Sequence, residues 1–184
     1  AATAPSPEAT LLLRCAAALD GRTIEEGWQR SWQDLDWTRF LELAARHAVI
    51  PLASRQLARL PAGTVPPSIL ATLQTLERDG AMRGLLLTQQ LLRVLAELER
   101  TGVSALPVKG PTLAALVYLD LSLRLYEDLD ILIARRDREK AETTLAALGF
   151  RPRSTFDDAR DALIAESHHE AFFHAESGTP LELH

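Results

Sequence analysis

Two carboxylates stand two residues apart inside an apolar run, Tyr126-Glu127-Asp128-Leu129-Asp130-Ile131-Leu132-Ile133, and this constrains the chain more than any other stretch. The length and β-branched content of the run predict a strand, whose side chains alternate faces. Asp128 and Asp130 are then expected on one face, with Leu129 and Ile131 turned into a core. Like charges held side by side are unfavourable unless a cation sits between them. A divalent metal is one answer, because hard cations such as Mg²⁺ take carboxylate oxygens and also bind substrate phosphates. The other is an edge strand with two solvated acids on its wet face. A D-x-D pattern alone does not choose.

The preceding segment adds weight to the metal. Val103 to Val108 is a short apolar strand candidate that runs into Lys109-Gly110-Pro111, and a helix-like run follows from Thr112 to Leu119. Strand, glycine turn and helix start form a ready anion site, with free backbone N–H groups, the positive end of a helix dipole and a lysine. An ordinary turn, with Gly110 present for its backbone freedom and Lys109 solvated, would read the same way. In sequence the two motifs place a phosphate cradle just ahead of a metal-binding acid pair.

This arrangement resembles the polymerase-beta-like nucleotidyltransferase superfamily. More narrowly, it is similar to bacterial members that read L-K-G-x-x-L-A, then Y, then R-x-x-x-D-x-D-x-L-V. The matching residues are Val108-Lys109-Gly110-Pro111-Thr112-Leu113-Ala114, then Tyr118, Arg124 and Asp128-Leu129-Asp130-Ile131-Leu132-Ile133. The resemblance covers roughly residues 103 to 184. It implies an NTP as co-substrate, Mg²⁺ or Mn²⁺ as cofactor, and Asp128 and Asp130 as metal ligands with a catalytic role. A third acid from a neighbouring strand is implied too, followed two residues later by His; Glu182 and His184 in Leu181-Glu182-Leu183-His184 fit. Lys109, Gly110, Arg124 and His184 are the implied nucleotide contacts. One departure stands out: Pro111 follows the glycine, where the broader pattern has a second small residue, and proline donates no N–H to a phosphate.

At 184 residues, one domain or a domain with a helical extension is expected. An apolar fraction of 47% excludes wholesale disorder. The formal charge of −5, with no basic run, argues against a nucleic-acid partner and leaves a small molecule or a protein as acceptor. The lone Cys15, among leucines, reads as a buried thiol. No membrane span or signal peptide is evident, so a cytoplasmic setting is the default. The chain opens without methionine and stops within a strand-like stretch, which reads as a fragment.

The first hundred residues read as helices. Glu8 to Leu19 is followed by Gly21 as a stop, Trp28, Trp32 and Trp37 read as packing between short helices, and Asp36 is placed to cap Trp37 to His47. Pro51 opens another short helix, and 61–67 is a loop. Beyond it Ile69, Leu73, Leu76, Gly80, Gly84, Leu87, Leu91, Leu95 and Leu98 recur at steps of three and four, one stripe of a long helix ending near Thr101-Gly102. Gly80 and Gly84 on that stripe suggest a close approach or a bend. After the acid pair come a helix from Asp137 to Leu148 stopped by Gly149, a strand at 150–153, a weakly helical 156–167, and a hairpin of His168–His174 and Leu181–His184. The expected architecture is α+β: a helical region, 1–101, packed on a small mixed β-sheet nucleotidyltransferase core with flanking helices, 102–184.

Two other functions are open. His168 and His174 on one strand face, with His169 and His184, would suit zinc, although no cysteine or helical His pair supports it. A degenerate module of the same fold, binding nucleotide without catalysis, would account for Pro111.

Overall fold

The computed structural model describes residues 4–17, 35–153 and 170–184. They divide into two compact units, Ala1–Arg83 with Tyr118–Leu125, and Gly84–Val117 with Tyr126–His184.

The first unit is helical. Helix α1 (Pro7–Ala17), α2 (Trp37–Arg46), α3 (Ile50–Leu57) and the first half of α4 (Pro67–Arg100) enclose Leu11, Cys15, Phe40, Ala53, Leu57 and Leu73. Burial pushes the Cys15 thiol up to about 12, so it remains protonated and inert. Trp37 packs edge-on against Phe40 at 5.7 Å between ring centres; Gly21, Trp28 and Trp32 lie outside the described residues. Asp36 caps α2 as expected, because its extended backbone (φ −76°, ψ 93°) lets the carboxylate accept from Arg39 N–H at 3.0 Å. The buried Glu8 carboxylate accepts from Asp36 N–H and ties α1 to that cap. Asp36→Ala is expected to cost about 1 kcal/mol in urea unfolding.

Segment 118–125 returns to this unit. Asp120 accepts from the Ser122 hydroxyl at 2.6 Å and from Arg55 of α3 at 2.5 Å, and Arg55 also faces Glu77. The Ser122 hydroxyl bond, then the Ser122 N–H and the Arg55 guanidinium, outweigh burial and hold the Asp120 carboxyl at about 2, below its usual 3.8. A depressed carboxyl contributes stability that is complete above its unfolded value and disappears as pH falls through the folded one. Between pH 4 and 2 the native protein should therefore lose stability that an Asp120→Asn variant does not lose, measured by denaturant titration at each pH.

The α4 stripe is largely as predicted: Leu73, Leu87, Leu91 and Leu98 are buried, although Leu76 is exposed. The helix stops in a Schellman turn, with Val103 N–H donating to Leu98 C=O and Gly102 N–H to Glu99 C=O, Gly102 taking φ +76°. Gly80 and Gly84 are places of close approach. A Cβ on Gly80 would meet Leu125, and one on Gly84 would meet the Tyr126 hydroxyl.

The second unit is built on a five-stranded mixed sheet of order β1-β2-β5-β4-β3. Its strands are β1 (Ala105–Val108), β2 (Leu129–Ile133), β3 (Phe150–Pro152), β4 (Glu170–His174) and β5 (Pro180–Leu183). The β2·β5 pair is parallel and the others antiparallel. Helix α5 (Gly110–Leu113) and a π turn (Ala114–Tyr118) occupy the place of the continuous helix expected from Thr112. Helix α6 (Arg138–Ala147) precedes the Gly149 turn. Asp137 is not the cap the sequence suggested: it ends a 3₁₀ turn with φ −96° and ψ 2°, outside the extended region a capping side chain needs, and makes no cap bond. No helix among the described residues is long and apolar enough to cross a membrane.

Candidate active site

Strand β2 is interior to the sheet. Its register sets Asp130 beside Val108 of β1 and beside Glu182 of β5. The wet edge strand is thereby ruled out, and the Asp130 side chain is only 1% exposed. Leu129 and Ile131 are fully buried, as alternation predicts. Asp128 differs: the strand begins at Leu129, so Asp128 stands in the bend before it, partly exposed, and strand alternation does not place it with Asp130.

The register brings distant residues together. Beyond β5 the ladder continues through His184, whose N–H donates to Ile131 C=O and whose C=O accepts from Ile133 N–H. Ligand atoms of Asp130, Glu182 and His184 lie within 4.8 Å of one another. His184 Nε2 donates to Asp130 Oδ1 at 3.0 Å and stands 3.6 Å from Glu182 Oε2. An ionised carboxylate only accepts, so the imidazole hydrogen belongs on Nε2.

Lys109 follows Val108, the strand partner of Asp130, and its Nζ donates to the same Oδ1 at 2.7 Å. The turn expected to cradle phosphate thus directs its ammonium to the carboxylate. The Lys109 backbone takes φ 50° and ψ −135°, sparsely populated for a residue with a Cβ, and Gly110 continues at φ +24°. Gly110 and Pro111 are buried at the start of α5.

Burial acts most strongly on the Asp130 carboxyl and pushes it up, but the Lys109 and His184 hydrogen bonds and charges together leave it below its usual value. Lys109 moves the other way: the Asp130 hydrogen bond, followed after partial desolvation by the charges of Asp130, Glu182 and Asp128, raises it. Asp130 is thus a carboxylate and Lys109 an ammonium at neutral pH.

Arg124, the remaining predicted contact, lies in segment 118–125 and groups with the helical unit instead of the sheet. Among the other histidines, His174 packs edge-on against Phe150 and accepts from Ser177 N–H, a structural setting; His168 and His169 lie outside the described residues.

Sequence reasoning passed over Tyr126. Its buried hydroxyl donates to Gly84 C=O at 2.8 Å and is 2.9 Å from Thr88 Oγ1, while its ring lies against Gly110. Tyr126 thus joins α4, the Lys109–Gly110 turn and the approach to Asp128. The available signal was the glycine pair on α4, four residues apart, which makes room for a large side chain.

The donor set suits a hard divalent cation: the Asp130 and Glu182 carboxylates converge, and Asp130 Oδ2 is enclosed without a hydrogen-bond partner among the described residues. A model of an uncharacterised nucleotidyltransferase family matches residues 33–184, most of the chain, and the chain belongs to that family. No curated protein and no solved structure matches it.

Proposed function

We propose that the chain is a metal-dependent nucleotidyltransferase of the polymerase-beta-like superfamily, of the bacterial kind its motifs resemble. It moves a nucleoside monophosphate from an NTP to a hydroxyl acceptor and releases pyrophosphate. The observation that carries this reading is the clustering of Asp130, Glu182 and His184, with ligand atoms within 4.8 Å of one another, in a member of a nucleotidyltransferase family. Asp128, Asp130 and Glu182 would hold Mg²⁺ or Mn²⁺, which when bound neutralises the triphosphate and aligns it for in-line displacement.

The chain's own residues supply the rest. His184 and Lys109 fix the Asp130 carboxylate through Oδ1. The acceptor oxygen bonds to the α-phosphorus, the α–β phosphoanhydride bond breaks, and pyrophosphate departs with those electrons. The hydroxyl proton passes to Glu182, whose side chain is 30% exposed and open to an acceptor. Gly110, with the Lys109 ammonium, contacts the phosphates. The catalytic core is 102–184, and 1–101 is a helical region. The acceptor is a small molecule or a protein, with nucleic acid disfavoured by the charge of −5, and the setting is cytoplasmic.

The test is pyrophosphate release from each NTP in the presence of Mg²⁺ and candidate acceptor pools. Metal-dependent release, abolished in Asp128→Asn, is expected. Weak, metal-independent NTP binding without release in any pool would favour the degenerate module that Pro111 suggests.

A further inference from the structure

The geometry points to Lys109 as a tethered counter-cation that exchanges with the arriving divalent ion at Asp130. This rests on the metal-binding reading of Asp130. A carboxylate oxygen offers two lone pairs, and at Asp130 Oδ1 both are engaged, by Lys109 Nζ at 2.7 Å and His184 Nε2 at 3.0 Å. The second oxygen, Oδ2, is enclosed. A cation therefore reaches Asp130 only if one donor leaves or the carboxylate turns.

The two donors are not equally free to leave. His184 is held by two backbone hydrogen bonds to β2, and its side chain is 27% exposed. Lys109 carries its charge on a flexible four-carbon stem, its side chain is 56% exposed, and its ammonium's hydrogen-bond partner among the described residues is Asp130. Its unusual backbone conformation aims the stem across the end of β1 at the carboxylate. Charge supports the same assignment. A buried carboxylate needs a compensating cation at all times. Lys109 supplies it until a divalent ion does, and then turns outward, where a phosphate oxygen is the natural partner for a compact ammonium. Metal arrival and triphosphate capture are coupled through one side chain.

The test uses Mn²⁺ alone, with no nucleotide, so that activity is not the readout. Free Mn²⁺ is followed by electron paramagnetic resonance in the native protein and in Lys109→Met, which keeps the unbranched stem without the ammonium. Removing an ammonium from the ligand oxygen should tighten Mn²⁺ binding about tenfold or more. In the unsubstituted protein, acetylation of Lys109 by limiting acetic anhydride, read by mass spectrometry, should rise several-fold when Mn²⁺ is added. That second readout needs no variant and holds if Lys109→Met does not fold. Mn²⁺ binding that is unchanged or weaker in Lys109→Met, or labelling that Mn²⁺ leaves constant, overturns the exchange while leaving the metal site intact. Mn²⁺ binding to neither protein overturns the metal site and the exchange with it.

Discussion

Asp130→Asn is expected to abolish nucleotidyl transfer while leaving the protein folded. Removing a ligand for the activating cation forfeits several kcal/mol of transition-state stabilisation, about three orders of magnitude or more in rate at about 1.4 kcal/mol per tenfold. Stability should move little, and the physical reason lies in the side-chain environment. Asp130 is 1% exposed and its charge is held by Lys109 and His184 through a single oxygen. Burying a charge costs several kcal/mol, which those two bonds offset only in part while Oδ2 is left unpartnered. Asparagine keeps the shape and an acceptor oxygen for Lys109 and relieves the buried charge. Thermal unfolding should therefore be unchanged or shifted slightly upward. A large destabilisation would show that Asp130 serves mainly as a structural ion-pair partner.

Tyr126→Ala is expected to be the most damaging single change outside the acids. The ring is 7% exposed and fills the space that Gly84 and Gly110 leave for it. Truncating a buried aromatic side chain to alanine costs about 3–5 kcal/mol, and it also frees the Lys109–Gly110 turn from the ring it lies against. Tyr126→Phe separates the two roles. It keeps the ring and loses the bonds to Gly84 C=O and Thr88 Oγ1, a cost of about 1 kcal/mol. In urea titrations, Tyr126→Ala should unfold far earlier than Tyr126→Phe, and only Tyr126→Ala should weaken nucleotide binding markedly.

What could be read from the sequence was whatever one strand or one turn encodes locally. Alternation in 129–133, the Asp36 cap, the Gly102 stop and the leucine stripe are each set by neighbours within a few residues, and each is found. Glu182 and His184 are singled out by the family resemblance, and their i, i+2 spacing sets them on one strand face. Their meeting with Asp130 depends on parallel pairing of β2 and β5, which no local spacing encodes. The same limit explains the misses. The apolar run looks continuous through Asp128, yet β5 pairs with β2 only from Leu129 and β1 only from Asp130. The run from Thr112 looked helical because its residues favour helix, but it is divided into a short helix and a π turn, with Leu116 and Val117 exposed. Tyr126 and the Arg55–Asp120 pair join segments 42 and 65 residues apart and leave no periodic trace.

The most direct measurement is calorimetric titration of ATP, GTP, CTP and UTP into the native protein, each with and without Mg²⁺. Binding of at least one nucleotide that requires Mg²⁺ and disappears in Asp130→Asn is the expected result, and it names the donor. Nucleotide binding that ignores Mg²⁺, or survives in Asp130→Asn, would contradict a metal centre held by Asp128, Asp130 and Glu182.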